Sequence, residues 1–387
     1  MASFADYMQA LKASIREISV QELKERLAEE HDLFLLDVRE GEEHQNGVIE
    51  GASLVSRGVL ETKVEGICPK RSTPIAIYCA GGTRSAMAAS SLGALGYTDV
   101  VSVIGGIGAW SRAGYGLDHP KRMTQDQLAR YSRQVILPQL GEEGQLKILG
   151  SRVLCVGAGG LGSPLALYLA AAGVGTLGVI DNDKADLSNL QRQILHNESV
   201  VGSSKVDSAR STLSRLNSDI TINTYDTRLD SSNVMEIFKD YDIVVDGTDN
   251  FPTRYLINDA CVFLGIPNVH GSIFHFDGQC TVFNYEDGPC YRCLYPEPPP
   301  PELAPSCAEA GVLGAICGVI GTMQAVETLK IITGTGQSLK GRLVSYDALH
   351  TSFRELKVRR DPGCPVCSKE PSITELIDYE QFCTVSL

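Results

Sequence analysis

The sequence predicts an α/β protein built from two domains. Near the start of the chain, an apolar run at residues 74–78 leads into a glycine turn at residues 79–85 and then into a helix-forming segment. The same order of strand, glycine turn and helix returns at residues 152–156, where the turn occupies residues 157–162. Such units build mostly parallel sheets covered by helices. Two of them, far apart in sequence, indicate two sheets.

A polar stretch between these units is typical of a linker. Residues 111–122 contain two glycines and Pro120. We therefore place a first domain at residues 1–118 and a second at residues 119–387, with the linker at about residues 111–123.

Composition and charge exclude several classes of protein. A net charge of −13 argues against an extended nucleic-acid surface. The first residues lack the features of a signal peptide, and the longest apolar stretch, around residues 311–321, is too short and glycine-rich to span a bilayer. We expect a cytoplasmic protein whose 12 cysteines serve as thiols and metal ligands.

Local patterns predict the elements of the first domain. Ser19 precedes an amphipathic segment and caps a helix that we predict at residues 18–30. Strands are predicted at residues 33–39, 74–78 and 100–104, and a helix of small residues ends near Leu95.

The pattern changes halfway through the second domain. After an entry helix at residues 124–137, strands alternate with helices over residues 152–263, which predicts a mostly parallel sheet. The sequence then predicts paired strands at residues 272–285, one long helix at 311–332 and further strands at 342–358. The back half would supply a platform for a protein tail, and the sheet as a whole would be mixed.

Cys79 is the chemical centre of the first domain. A thiolate in this turn would be stabilised by turn N–H groups, by the start of the helix and by Arg84, which lowers the pKa of the thiol. The alternative is a buried structural cysteine, which the glycines and Arg84 suit poorly. Four residues separate Cys79 from Arg84, and this loop is shorter than that of cysteine phosphatases. A loop of this length suits a single sulfur atom rather than a phosphate group.

The glycine turn of the second domain predicts a nucleotide site. Its glycines are Gly157, Gly159, Gly160 and Gly162. Backbone N–H groups at such a turn face an anion at the start of the following helix. The next predicted strand ends at Asp181 and Asp183, where a carboxylate can accept a hydrogen bond from a ribose hydroxyl. By itself this Rossmann-like fingerprint is typical of nicotinamide or flavin enzymes.

Three charged residues favour a triphosphate instead. Arg192 carries a planar guanidinium group and Lys205 a compact ammonium group. Both can stabilise the negative charge that develops between an α-phosphate and departing pyrophosphate. Asp249 follows a further buried strand, on the side of the sheet where it could hold Mg²⁺ beside phosphates. The alternative for the two cations is a solvated surface position. The sequence contains no P-loop motif GxxxxGK[ST].

Cysteines in the second half predict a metal site. Cys290 with Cys293, and Cys364 with Cys367, form two CxxC pairs, and two such pairs close a four-thiolate structural zinc site. Chance or redox pairs are the alternative. Cys307 follows a proline-rich loop and precedes a helix, so it is either another candidate thiolate or a buried inert cysteine.

In their order and spacing, the motifs of the second domain resemble the ubiquitin-activating-type adenylyltransferases of the MoeB and ThiF family, which serve molybdopterin and thiamine biosynthesis. The resemblance runs from about residue 128 to residue 367. It implies a homodimer that uses ATP to adenylate the C-terminal Gly-Gly of a small ubiquitin-like sulfur-carrier protein of the MoaD and ThiS type. It also implies that Cys307 accepts the activated carrier terminus.

The resemblance also implies which residues surround ATP and Mg²⁺. Those within one subunit are Gly157, Gly159, Gly160, Gly162, Asp181, Asp183, Ser188, Asn189, Leu190, Gln191, Arg192, Lys205, Asp249 and Asn250. Arg133 matches the arginine that reaches the phosphates from the partner subunit.

The first domain resembles a rhodanese domain, which carries persulfide sulfur on a cysteine. The resemblance rests on residues 36–40, on the sulfur loop and on the glycines and tryptophan of residues 105–110. Val48 stands where the family usually has histidine. The domain order also differs from the familiar fusion, in which the rhodanese domain comes second.

The leading hypothesis is therefore adenylation of a carrier carboxylate, coupled to sulfur transfer from a Cys79 persulfide to give a carrier thiocarboxylate. A nicotinamide oxidoreductase and a non-catalytic scaffold for ubiquitin-like proteins are the alternatives. The carrier could serve molybdopterin synthesis, thiamine synthesis, tRNA thiolation or cysteine synthesis. The sequence does not identify the sulfur donor.

Overall fold

The computed structural model describes residues 3–119, 122–298, 311–377 and 379, and the chain divides into two compact units, Met1–Arg122 and Met123–Leu387. The described elements of the first unit are α1 (Phe4–Ala13), β1 (Arg16–Ile18), α2 (Val20–Glu29), β2 (Phe34–Asp37), β3 (Ser53–Leu54), α3 (Leu60–Ile67), β4 (Ile75–Tyr78), α4 (Thr83–Ala94), β5 (Val100–Val103) and α5 (Gly106–Arg112). Within these residues the strands form a parallel sheet in the order β1-β5-β4-β2-β3.

The helices and strands predicted in the first unit are confirmed, and the described residues of this unit contain five further α-helices and strands. Ser19 caps α2 by accepting a hydrogen bond from the Glu22 N–H, as the sequence pattern indicated. These further elements are α1, β1, β3, α3 and α5. A capping box between Ser3 and Asp6 begins α1, and this signal is visible in the sequence.

The segment predicted as linker is packed in part against the first unit. Trp110 donates from Nε1 to the Gly116 carbonyl oxygen at 2.9 Å. Asp118 pairs with Val48 in an isolated bridge, and Leu117 packs on the core. Residues 113–118 are therefore held to the first unit, where Tyr115 and Leu117 are half-buried against its core.

The second unit contains the predicted mixed sheet. Its described elements are α6 (Gln125–Val135), α7 (Gly141–Gly150), β6 (Arg152–Val156), α8 (Gly162–Ala172), β7 (Thr176–Ile180), α9 (Lys205–Leu216), β8 (Thr221–Tyr225), α10 (Val234–Phe238), β9 (Ile243–Asp246), α11 (Phe251–Leu264), β10 (Asn268–Phe274), β11 (Asp277–Phe283), α12 (Tyr291–Leu294), α13 (Gly314–Thr333), β12 (Arg342–Asp347) and β13 (Ser352–Lys357). Strands β8, β7, β6, β9 and β10 lie parallel in that order, and β11, β12 and β13 continue the sheet antiparallel.

Helix α13 covers one face of this sheet. It is long and apolar enough, by length and composition alone, to cross a membrane. In the structure it packs against α8, β10 and β11, and Ile316 and Ile320 belong to the main hydrophobic core. Its apolar composition is therefore that of a central core helix.

Candidate active sites

The glycine turn of the second unit lies at the carboxyl end of β6. Gly157 adopts a φ of +95°, which favours glycine, and a Cβ at Gly162 would lie 1.9 Å from the Gly157 carbonyl oxygen. The N–H of Ala158 donates to Asp181 at 2.8 Å, so the tip of β7 holds the turn. This arrangement directs the start of α8 toward a cleft at the edge of the sheet.

The cleft has a volume of about 270 Å³ and gathers most of the predicted nucleotide residues. The predicted residues that line it are Gly157, Gly159, Gly160, Asp181, Asp183, Arg192, Lys205, Asp249 and Asn250. They come from the loops that follow β6, β7 and β9, from the segment between β7 and α9, and from the start of α9. Ligands bind at this edge of an open α/β sheet because the strand order reverses there.

Lys205 brings a buried positive charge into the wall of the cleft. The residue is only 5% exposed, and its Nζ lies 2.7 Å from Asp183 Oδ2 and 4.0 Å from Asp181 Oδ1. A buried ammonium requires such partners. Arg192 is more exposed and donates from Nη1 to the Ser188 carbonyl oxygen at 3.2 Å. The two cations therefore line one cleft, although 12 residues separate them in sequence.

Sequence reasoning missed Gln193 as a cleft residue. Its side chain is 4% exposed, and Oε1 has no hydrogen-bond partner among the described residues. A buried amide oxygen without a partner carries a free-energy penalty that a ligand could remove. The available signal was its position directly after Arg192. Other lining residues that the sequence did not single out are Thr227, Arg228, Thr253 and Arg254.

Several predicted residues lie beside the cleft rather than in its lining. Ser188 donates from Oγ to Asp186 at 2.6 Å, and Asn189 accepts from the Asp186 N–H, so both close a short 3₁₀ turn. Gln191 packs close to Gly314 at the start of α13. The other predicted residues outside the lining are Gly162, Leu190 and Arg133, the last of which is exposed on α6.

Two acidic residues near the end of β9 differ in role. Asp246, the last residue of the strand, is fully buried and accepts hydrogen bonds from Thr248 and from His270 Nδ1 at 2.8 Å. Burial opposes ionisation of Asp246, but the hydrogen bonds from His270 and Thr248 outweigh it and lower the pKa. Asp246 therefore shapes the loop that carries Asp249 into the cleft.

We expect His270→Phe to lower the free energy of unfolding by about 1–3 kcal/mol, because the buried Asp246 carboxylate loses a donor. The chain offers a matched control in His350, which makes a hydrogen bond of the same length, 2.8 Å, to Asp347 at an exposed position. His350→Phe should leave stability unchanged. Denaturant unfolding measures the stability of both variants. Equal losses of stability would mean that the buried pair contributes no more to the free energy of unfolding than the exposed pair.

Cys79 lies in the turn between β4 and α4. Its Sγ accepts a hydrogen bond from the Gly82 N–H at 3.1 Å and lies 3.6 Å from Ser85 Oγ. Burial raises the pKa of Cys79, but N–H groups of the turn and the Ser85 hydroxyl outweigh it and lower the pKa overall. A Cβ at Gly106 would lie 2.0 Å from the Cys79 carbonyl oxygen, so only glycine fits there.

Arg84 makes a contact that the sequence did not predict. Its Nη1 and Nη2 donate to the two carboxylate oxygens of Glu43 at 2.6 and 2.8 Å. Such a bidentate pair holds the guanidinium in one orientation. The positive charge near Cys79 is therefore partly compensated, and the hydrogen bonds of the turn become the main stabilisation of a thiolate.

The four cysteines of the CxxC pairs form one cluster. Sγ of Cys290 lies 3.8 Å from Sγ of Cys293 and 3.5 Å from that of Cys364, and Cys293 and Cys367 are 3.4 Å apart. A tetrahedral zinc–thiolate site has sulfur–sulfur edges of about 3.8 Å. The cluster is thus able to hold a metal ion. Cys307 lies outside the described residues.

The cysteine cluster is joined to α11 by a buried ion pair. Arg292, between Cys290 and Cys293, donates from Nε and Nη2 to both oxygens of Asp259 at 2.8 Å. Tyr379 donates to the same carboxylate at 2.9 Å. Tyr379 is therefore tied to the ion pair beside the cysteine cluster.

Comparisons with known proteins agree with this geometry. The sequence model of the ThiF family matches residues 131–366, and that of the rhodanese-like domain matches residues 19–113. The adenylyltransferase and sulfurtransferase MOCS3 of Culex quinquefasciatus is 56% identical over 265 residues, which are 68% of this chain and 60% of that protein. This chain thus matches less than two thirds of the length of that relative.

Two further relatives extend the comparison. The sulfur carrier protein adenylyltransferase of Thermus thermophilus is 53% identical over 267 residues, which cover 68% of this chain and 98% of that protein. The crystal structure of E. coli MccB with MccA-N7isoASN has a TM-score of 0.57 at 21% identity and covers 65% of this chain and 77% of that one. This structural likeness shows the shared fold.

Proposed function

Because this chain belongs to the ThiF family and carries a rhodanese-like domain before the matched region, we propose that it is an adenylyltransferase with a sulfurtransferase domain. Its substrate would be the C-terminal glycine of a small ubiquitin-like sulfur-carrier protein, as the name of the Thermus relative suggests. We propose domain boundaries at residues 1–118 and 119–387. The observation that carries the adenylation is the gathering of Arg192, Lys205 and Asp249 around one cleft.

In the proposed reaction, the backbone N–H groups of the glycine turn hold the phosphates of ATP in the cleft, and the unpaired Oε1 of Gln193 accepts a hydrogen bond from a donor group of the bound nucleotide. Arg192 and Lys205 stabilise the negative charge that develops as the carrier carboxylate attacks the α-phosphate and pyrophosphate leaves. Asp249 would hold Mg²⁺, whose role is to neutralise phosphate oxygens. The products are pyrophosphate and a carrier acyl adenylate, which is then open to attack by a sulfur nucleophile with release of AMP.

The sulfur would come from a persulfide on Cys79, whose outer sulfur attacks the acyl adenylate to give an acyl disulfide. A second thiol then cleaves this disulfide, which releases the carrier thiocarboxylate and leaves a disulfide on Cys79. The lowered pKa of the Cys79 thiol favours the thiolate that accepts sulfur from a donor. We keep Cys307 as the proposed acceptor of the activated carrier terminus. We also propose a cytoplasmic homodimer, because Arg133 is exposed on α6 and lies outside its own cleft, where it is available to a second subunit.

The two alternative functions, a nicotinamide oxidoreductase and a non-catalytic scaffold for ubiquitin-like proteins, predict different behaviour. A dinucleotide has one pyrophosphate and no leaving group, so it gives no reason for Arg192 and Lys205 to line the same cleft. A scaffold gives no reason to retain both cations and a buried unpaired amide oxygen at Gln193. ATP is expected to raise the melting temperature of the protein more than NADH does.

Carrier-dependent ATP–pyrophosphate exchange tests the proposed adenylation directly. Labelled pyrophosphate should enter ATP only when a carrier ending in Gly-Gly is present, because the reverse reaction requires the acyl adenylate. Mass spectrometry of the carrier after addition of a sulfur donor should then show a thiocarboxylate. A carrier that lacks its last glycine is the control. Exchange that does not depend on the carrier would contradict the proposal.

We propose that the cysteine cluster binds one structural zinc ion per chain. The sulfur–sulfur distances fit a tetrahedral site, and the Asp361 N–H donates to Cys293 Sγ at 3.3 Å, as is common at metal thiolates. We expect Cys290→Ser to release the zinc and to lower the melting temperature, because metal binding contributes to folding. Metal analysis and thermal unfolding measure the two effects.

Cys280→Ser is the matched control for zinc, since this cysteine is equally buried but lies in β11 outside the cluster. It should retain one zinc per chain. A metal-free wild-type protein, or a Cys290→Ser variant that keeps its zinc, would show that the cluster is not a zinc site.

A further inference from the structure

A chain of buried hydroxyl groups lies beneath the sulfur of Cys79. Ser102, on β5, donates from Oγ to the Oγ of Ser85 at 3.0 Å. Ser85, in the first turn of α4, donates in turn to the Gly82 carbonyl oxygen at 3.2 Å, and its Oγ lies 3.6 Å from Cys79 Sγ. Both serines are completely buried. The hydroxyl of Ser102 is therefore connected to the sulfur through one intermediate group.

Packing alone does not account for a serine at position 102. The other residues of β5 are Val100, Val101 and Val103, and the strand lies inside the sheet between β1 and β4. Val101 and Val103 face the core on one side, so Ser102 points to the other side, toward α4. A buried hydroxyl there costs free energy unless it is hydrogen-bonded. Its recorded partner is Ser85.

The Ser85 hydroxyl has one proton and two possible acceptors, the Gly82 carbonyl oxygen and the Cys79 sulfur. In the thiol state, Cys79 Sγ–H donates to Ser85 Oγ, and the Ser85 hydroxyl donates to Gly82. When the thiol loses its proton to solvent, the Ser85 hydroxyl can rotate and donate to the sulfur anion. Ser102 can donate to Ser85 Oγ in both states, because this oxygen has two lone pairs.

We propose that Ser102 is a positioning residue for sulfur chemistry at Cys79, since it holds the Ser85 oxygen in place while the Ser85 proton turns from Gly82 to the sulfur. The proposal rests on the sulfurtransferase function for its purpose, but its direct consequence is a more acidic Cys79. A hydrogen bond that polarises the Ser85 hydroxyl makes it a stronger donor to the thiolate.

The charges around Cys79 are independent of this hydroxyl chain. Arg84 comes from the first turn of α4 and is held by Glu43 from the segment after β2, with Glu40 beside that pair. Among the described residues, the Ser102 side chain makes its hydrogen bond to Ser85 and none to Arg84, Glu43 or Glu40. A change at Ser102 therefore reports on hydrogen bonding and leaves the local charges in place.

The test measures ionisation of Cys79 in the full chain. Iodoacetamide alkylation is followed across the pH range in which thiols ionise, and the tryptic peptide of residues 72–84 is quantified by mass spectrometry, since Cys79 is its only cysteine. We expect Ser102→Ala to raise the alkylation midpoint by about half a pH unit to one unit. Ser102→Thr, which keeps the hydroxyl in a strand, should restore the wild-type midpoint.

Two further variants separate positioning from general loosening of the domain. Val101→Ala removes buried volume from the same strand without removing a hydroxyl, so its midpoint should stay at the wild-type value. Ser85→Ala should raise the midpoint at least as much as Ser102→Ala. Adding Ser102→Ala to Ser85→Ala should produce no further shift, because Ser102 acts through Ser85.

An unchanged midpoint in Ser102→Ala, a shift of equal size in Val101→Ala, or additive shifts in the double variant would each overturn the proposal. Alkylation needs no sulfur donor and no carrier. Thiosulfate:cyanide sulfurtransfer is measured on the same proteins, so an inactive wild type would contradict the proposed function while the alkylation midpoints still decide the role of Ser102.

Discussion

Replacing Arg192 or Lys205 with alanine is expected to lower carrier-dependent ATP–pyrophosphate exchange by about a hundredfold or more. Each change removes a preorganised positive charge from the cleft where negative charge would develop as pyrophosphate leaves. The effect should appear mainly in the maximal rate, because the charge is needed most in the transition state. Initial exchange rates at saturating ATP and carrier measure it.

The two variants should differ in stability. Lys205 is buried and pairs with Asp183, so Lys205→Ala leaves this carboxylate without its partner, whereas Arg192 makes one recorded hydrogen bond to a backbone carbonyl. Arg215→Ala is the control, because this arginine lies on the same helix as Lys205 but is exposed and outside the cleft. Exchange rates within a few-fold of wild type for Arg192→Ala and Lys205→Ala would refute the assignment of the cleft.

The second large effect is expected at Cys79. Cys79→Ala should abolish thiosulfate:cyanide sulfurtransfer and carrier thiocarboxylate formation, since no other group in the turn can carry the persulfide. ATP–pyrophosphate exchange should continue at the wild-type rate, because no thiol takes part in adenylation. Measuring both activities on one preparation separates the two chemistries.

Cys68→Ala provides the matched control for Cys79. This cysteine is also buried in the first unit, but it lies after α3 and outside the sulfur turn. It should retain both activities. Thiocarboxylate formation by Cys79→Ala from the same donor would show that sulfur reaches the carrier without the rhodanese-like domain.

The local features of both sites could be predicted from the sequence. The glycine turn at Gly157, the strand ends at Asp181 and Asp249 and the sulfur loop of Cys79 depend on residues within a few positions of one another. Backbone preferences and hydrophobic periodicity act over such distances. The helices and strands that support these turns were predictable for the same reason.

Other features depended on the tertiary structure. The CxxC pairs are local, but the contact between Cys290 and Cys364 joins residues 74 positions apart. The pairing of Arg84 with Glu43, and that of Asp246 with His270, likewise join separate elements. No local pattern specifies such partners, because long side chains choose among the groups that the folded chain brings near.

The sequence by itself determined the two α/β domains, the order of strand, turn and helix at each site, and the residue types that carry the chemistry. Only the tertiary structure decided which of them meet. It paired the buried Asp246 with His270, placed Gln193 in the same cleft as the predicted cations and set Ser102 against Ser85. The physical reason is that local propensities act along the chain, whereas strand order and side-chain packing bring together residues that are distant in it.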